Sequence, residues 1–181
     1  SGAAHGVDGY DHIGLINCAG GLLAQDYEMF ENQIPVHLRK HELMQDSAGP
    51  GQWRGGYGTE TEIVIEGDNV AGVVFGDGIE EEAKAFGLFG GGSGILNKMN
   101  FATPDNSEHT PKSKEIVKNI ATYTVLTQIA GGGGGYGDPF ERPTKIVQRE
   151  AVNGLVSIEG ARQYYGVVID PESLELDQEA T

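Results

Sequence analysis

The chain has 181 residues with 12 basic and 27 acidic side chains, a formal net charge of −15, and 29 glycines. That excess of negative charge argues against nucleic acid or an anionic membrane as a partner, and no apolar run in the sequence reaches the roughly 20 residues that cross a bilayer. The single cysteine, Cys18, cannot form an internal disulfide and fits a reducing cytoplasm.

Residues 1–12, SGAAHGVDGYDH, are small and polar and read as loop. Residues 13–17 read as a short strand, and 22–31 have a mixed pattern that selects neither helix nor strand. From Pro35 an extended segment is expected through Leu43. Residues 45–58, QDSAGPGQWRGGYG, are dense in turn formers. Residues 59–66 alternate, with Thr61, Ile63 and Ile65 on one side and Glu60, Glu62 and Glu66 on the other, as a half-buried strand requires. Gly67-Asp68-Asn69 is a turn signal, and a second strand over 70–75 makes a hairpin with the first the expectation.

Residues 79–84 are short and acidic, and FGLFGGGSG over 86–94 is a loop. Residues 102–114 are polar and interrupted by Pro104 and Pro111. Residues 120–130 are β-branched and aromatic and read as one strand with Tyr123, Val125, Thr127 and Ile129 on one face. That strand runs into five consecutive glycines at 131–135. Pro143 suits the first turn of a helix reaching about Val152, which Asn153-Gly154 stops. Ser157 as N-cap, Glu159 in the first turn and Gly166 just past the end outline a second helix. A brief strand at 167–169 follows, then an acidic tail over 171–181. The fold class is α+β: a mostly β body with glycine-rich loops and a short two-helix C-terminus.

The glycine run does not read as a nucleotide site. Tyr136-Gly137-Asp138-Pro139 follows it where a phosphate loop needs Lys and Ser or Thr opening a helix. A tight backbone path with other backbone against it is the simpler account. If these glycines hold positive φ, valine at Gly132 or Gly134 disrupts the fold. His37 and His41 would share a face on a helix, but an extended segment separates them by roughly 13 Å, too far for one zinc ion. Asp8, Asp11 and His12 place two carboxylates and an imidazole in one loop, where they could bind a divalent ion or move a proton, or be ordinary solvated groups. Arg54 beside Trp53 offers a fork of donors for a carboxylate or phosphate, or a brace for a glycine-rich loop. Ser47 and Ser93 have no triad-like company.

The order of the glycine motifs carries more than any one of them. Asp46 to Gly58 reads DSAGPGQWRGGYG; Phe86 to Gly91 reads FGLFGG; Gly132 to Pro139 is followed by Arg142-Pro143; and Gly154-Leu155-Val156-Ser157 is followed by Glu159, Ala161 and Tyr165-Gly166-Val167-Val168. Together these resemble the hydantoinase B/oxoprolinase family, over nearly the whole chain to about Asp170 and over only the C-terminal third of a typical member. The resemblance implies that residues 1–170 are the C-terminal part of a hydantoinase B-type subunit, and a chain opening at Ser1 without methionine agrees with a separated piece. It implies a cytoplasmic, ATP-dependent hetero-oligomer whose partners are the N-terminal part of the same subunit and a hydantoinase A-type subunit that handles ATP. ATP and a divalent metal belong to that assembly; the metal ligands of the carboxylase branch lie in the N-terminal part, so no metal or cofactor ligand is carried to this chain. Asp8, His12, Arg54 and Tyr136 are the residues expected to approach substrate, if any in this chain do; otherwise the chain is a structural module. Some members open cyclic amides, and others carboxylate ketones. Here Asn17, Glu28, Glu31 and Pro35 keep the family spacing while Asp26 stands at the place of an expected proline. That departure tilts the expectation toward a carboxylase acting on acetone or acetophenone with bicarbonate.

Overall fold

The computed structural model describes residues 1–12 and 25–181. The strand expected over 13–17 and the start of the undecided segment at 22 lie outside the described residues. The rest of that segment resolves as helix α1 (Tyr27–Gln33), capped by the Asp26 carboxylate, which accepts from the Met29 N–H at 3.1 Å. Strand β1 (Val36–Leu43) follows, as expected from Pro35. Glu31 ties the two elements together, accepting from the backbone N–H of Leu38 at 2.7 Å and from His37 Nδ1 at 3.0 Å.

The body contains β2 (Thr59–Ile65), β3 (Val70–Phe75), β4 (Lys98–Ala102), β5 (Glu108–His109), β6 (Lys114–Ile120) and β7 (Val125–Ile129). They form a five-stranded antiparallel sheet in the order β1-β2-β7-β4-β5 and a separate pair, β3-β6. The fold is therefore mostly β with short C-terminal helices, as the sequence indicates. The expected hairpin of β2 with β3 does not form. The turn is present, with Asn69 at φ 57°, but β3 leaves the sheet and pairs with β6. Both strands then turn apolar residues onto the sheet: Val70, Val74, Val117 and Ile120 share one core with Ile65, Met99, Phe101 and Leu126. Stacking the pair over the sheet buries these side chains against it.

The single strand expected over 120–130 is two strands and a turn. Tyr123 has φ 66° and is exposed, and the buried Thr124 hydroxyl donates to the Ala121 carbonyl at 2.7 Å. Ile120 ends β6, and Val125 begins β7.

The C-terminus follows its capping signals. Helix α2 (Thr144–Val152) begins after Pro143, and Gly154 just beyond its end has φ 73°. Helix α3 (Ile158–Tyr165) begins at Ser157, whose hydroxyl accepts from the Gly160 N–H at 2.8 Å, and ends at Gly166 with φ 67°. These helices enclose a second core of Val147, Val156, Ala161, Tyr165, Val167 and Ile169, with Tyr57 at its inner edge. The brief strand expected at 167–169 is reduced to one bridge, Ile169 to Leu176. Residues 171–181 fold back, setting Leu174 and Leu176 on this core.

Between the two cores lies a core made of backbone. The five-glycine run is surrounded by three other extended segments and hydrogen-bonds to each. Gly133 donates to the Gly56 carbonyl and accepts from Gly49; Gly134 accepts from Ala3; Gly135 donates to Gly92 and accepts from Leu88. The bonds lie between 2.8 and 2.9 Å. The reason for glycine is close approach, not positive φ: within 131–137 only Gly137 is left-handed, at 76°. A Cβ on Gly132 would fall on the Ser47 carbonyl, 2.6 Å from its carbon, and one on Gly135 would lie 2.6 Å from the Pro50 carbonyl carbon. Side chains are excluded so that backbones can hydrogen-bond in several directions at once.

Candidate functional site

Where the glycine core meets the helices, five charged side chains converge. Arg142, from the turn before α2, is 1 % exposed and grips Asp8 with both terminal nitrogens, at 2.9 and 2.8 Å. It also donates to Glu150 at 2.9 Å, and Arg54 Nε reaches the same carboxylate at 2.8 Å. Arg54 continues to Asp11 Oδ1 at 2.9 Å and to its neighbour's carbonyl, Gly55 O, at 2.8 Å. Its guanidinium stacks 4.1 Å from the centre of the Tyr57 ring. Asp8 and Asp11 also accept from the backbone N–H groups of Arg54 and Tyr57. The N-terminal loop is thus fastened to the RGGYG loop and to α2 by charge-assisted bonds.

The electrostatics follow from burial. Desolvation pushes the Asp8 carboxyl up, but the hydrogen bonds and charge of Arg142, with help from Arg54, outweigh it and hold Asp8 below the usual carboxylate range. Desolvation opposes the charge on Arg142, yet Asp8 and Glu150 overcome it and raise its pKa. Tyr57 is driven strongly upward by burial and then by the Glu150 charge. Its hydroxyl is buried with no hydrogen-bond partner among the described residues.

Of the four residues expected near chemistry, the structure brings only Asp8 and Arg54 together, and both are engaged with other side chains. His12 lies apart, against β1 and β2. Its ring is 5.3 Å from that of His41, edge to face, and its Nδ1 is 3.3 Å from Thr59 Oγ1. Burial, then His41, then the N-terminal amine lower the His12 pKa. His37 and His41 are on an extended strand, as expected. A register irregularity between Leu38 and Lys40 sets His37 beside Val64 and His41 beside Thr61, where its Nδ1 is 2.7 Å from Thr61 Oγ1.

Tyr136 sits at the far end of the glycine run. It stands 4.9 Å from Phe89, 5.8 Å from Trp53 and 6.0 Å from His5, ring centre to ring centre, with Trp53 4.7 Å from His5. Phe89 is mostly exposed, so this aromatic group has an open side. Among the described residues no group of three or more His, Cys, Asp and Glu is placed to hold a metal ion, and no helix is long and apolar enough to cross a membrane.

Arg142 and Glu150 were missed as members of the cluster. Glu150 carried a usable signal: it lies three residues from Val147, on the buried stripe of α2. A carboxylate on an apolar face calls for a buried cation.

Comparison with known proteins matches residues 1–139 to the Hydantoinase B/oxoprolinase family. The chain belongs to that family. It is 35 % identical over its whole length to the caprolactamase subunit beta of Pseudomonas jessenii, covering 31 % of that protein. It is 26 % identical, over 99 % of its length, to the acetophenone carboxylase delta subunit of Aromatoleum aromaticum, covering 30 % of it. The crystal structure of the ATP-dependent caprolactamase from Pseudomonas jessenii superimposes with a TM-score of 0.81 at 33 % identity, over 99 % of this chain and 31 % of that one. The chain thus spans about a third of the length of these relatives.

Proposed function

We propose that this chain is the C-terminal portion of a hydantoinase B-type subunit in a multisubunit, ATP-dependent enzyme that opens cyclic amides. The observation that carries the reading is the 35 % identity to a caprolactamase subunit along the entire chain. The departure at Asp26, which favours a carboxylase on sequence, has a local explanation in the cap it provides for α1. Ketone carboxylation is the second reading, supported by the 26 % identity to an acetophenone carboxylase subunit.

In this reading ATP and a divalent metal are held elsewhere in the assembly, by a hydantoinase A-type subunit and by the N-terminal part of the hydantoinase B-type subunit. Asp8 and Arg54 are spent on Asp11, Arg142 and Glu150, so their role is to hold the N-terminal loop. His12 and Tyr136 are the two that can meet a reacting group or the rest of the subunit.

The test is ATP consumption by the assembled enzyme containing this chain. A lactam, hydantoin or 5-oxoproline should stimulate it without bicarbonate. Stimulation only by acetone or acetophenone with bicarbonate would replace the amidase reading with the second one. Tyr136→Phe and His12→Asn should lower turnover with melting unchanged; no effect from either would leave the chain a structural module.

A further inference from the structure

One apolar face of the described surface is used by neither core. β3 exposes Ala71, Val73 and Phe75, and β6 exposes Lys114, Ile116 and Lys118. The register sets Val73 opposite Ile116 and Phe75 opposite Lys114, so the side chains form one stripe. Val73 is 76 % exposed, Phe75 82 % and Ile116 60 %. The reverse face of both strands is already committed to the core. A groove of about 490 Å³ opens beside Phe75, between this pair and the sheet, lined also by Val74, Ile79, Met99 and Ile129.

The charge around this face is a second, independent observation. The chain is strongly acidic, with only 12 basic residues. Lys98, Lys112, Lys114 and Lys118 all stand exposed on the stripe or the rim of the groove. None makes an ion pair among the described residues. Lys114 Nζ lies 5.6 Å over the Phe75 ring. An aromatic centre with a charged rim is the anatomy of a protein interface. A second copy is a poor occupant, because a two-fold contact sets the same patch on itself and brings lysines against lysines.

We propose that this face docks the remainder of the hydantoinase B-type subunit, through an apolar strip bordered by carboxylates. The inference rests on the assembly reading above and names the surface. The relatives carry about two thirds of their length beyond the matched segment, which supplies a partner of sufficient size.

The probe is the rest of the Pseudomonas jessenii caprolactamase beta subunit, with the matched third of that subunit as positive control. Binding of the 181-residue chain to it is measured by calorimetry at two salt concentrations. Phe75→Asp and Val73→Asp should each weaken binding by about 30-fold or more. The double variant Lys114→Gln/Lys118→Gln should weaken it by about 5-fold at low salt and flatten its salt dependence. Val152→Asp, on an exposed position of α2, should bind like wild type. Wild-type binding that Phe75→Asp and Val73→Asp leave unchanged overturns the surface assignment alone. No wild-type binding, with the positive control bound, overturns the assembly reading and the surface with it. Sedimentation of the chain by itself should show a monomer; a dimer that Phe75→Asp dissociates makes a second copy the occupant and overturns the proposal.

Discussion

Replacing Gly134 by alanine tests whether the glycine core is held by close backbone approach. The added carbon would fall on the Phe86 carbonyl oxygen, 2.5 Å from its carbon and 3.1 Å from Gly87 N. Carbon–carbon contacts are favourable at about 3.5–4.0 Å, so the segment carrying Phe86 must retreat by about 1 Å. That segment is held to residues 135–137 by two backbone bonds, Leu88 N to Gly135 O at 2.9 Å and Gly137 N to Leu88 O at 3.0 Å. A retreat of that size carries both beyond hydrogen-bond range. The groups on buried residues, Gly135 C=O and Gly137 N–H, are left unsatisfied at about 1–3 kcal/mol each, or about 2–6 kcal/mol together, while those of the exposed Leu88 can turn to water. For a chain of this length that is a fall in melting temperature of roughly 5–20 °C. The assay is thermal unfolding followed by circular dichroism, with Gly76→Ala as control. Nothing lies within 4 Å of a Cβ at Gly76, and alanine there should be neutral or stabilise by up to about 1 kcal/mol. If both variants melt within about 2 °C of wild type, the run is an ordinary loop and the close-approach account is wrong.

Arg142→Met should destabilise the chain by about 3–5 kcal/mol in denaturant titrations, because it leaves Glu150 buried without one of its two cations and Asp8 without its fork. Asp8 has a depressed pKa in the folded state; its stabilisation is present above the unfolded carboxylate range and is lost as pH falls through the folded value, so Asp8→Asn should flatten the acid limb of a stability–pH curve. His12 is also depressed. The neutral ring is favoured in the fold, so stability contributed there is present above the unfolded histidine range and lost as pH falls through the folded value; His12→Asn should remove that slope. Ser157→Ala should cost about 1 kcal/mol through the lost α3 cap, measured by chemical unfolding.

Local signals are legible wherever a residue acts on its immediate neighbours. Ser157 and Gly166 at the ends of α3 depend on a few adjacent backbone groups, and both stand where the pattern put them. Pairing was less legible. Residues 67–69 do turn, but whether β3 lies beside β2 or over it depends on Phe101 and Ile120, which are far away in the chain. Likewise, 120–130 shows no proline or glycine, and the break at Tyr123 is imposed by bonds to Ile65 and Ala121. For the candidate site, the carboxylates of the N-terminal loop were visible as a group, but their cations were not. Asp8 and Arg142 are 134 positions apart, and no local spacing joins them.

The glycine core bears on where chemistry can happen. Several of its N–H and C=O groups pair with neighbouring backbone: Gly133 uses both, as does Gly135, and the Gly134 carbonyl accepts from Ala3. A core of that kind has no side chain to bind, protonate or attack a substrate. The charged groups beside it are equally occupied, since Arg54 and Arg142 are satisfied by Asp8, Asp11 and Glu150. What the arrangement provides is a thin, stiff partition whose ends carry the groups that remain open: the aromatic rings around Tyr136 at one end and the His12–His41 pair near the other. On the assembly reading proposed above, a reacting group would be met at those ends, by Tyr136 or His12 or by the parts of the enzyme that lie against them. A glycine substitution that the fold survives should lower turnover of the assembled enzyme through misplacement. Turnover should then fall in step with loss of assembly. A large loss of turnover in a complex that assembles and melts like wild type would place a catalytic group in the glycine core and refute the partition account.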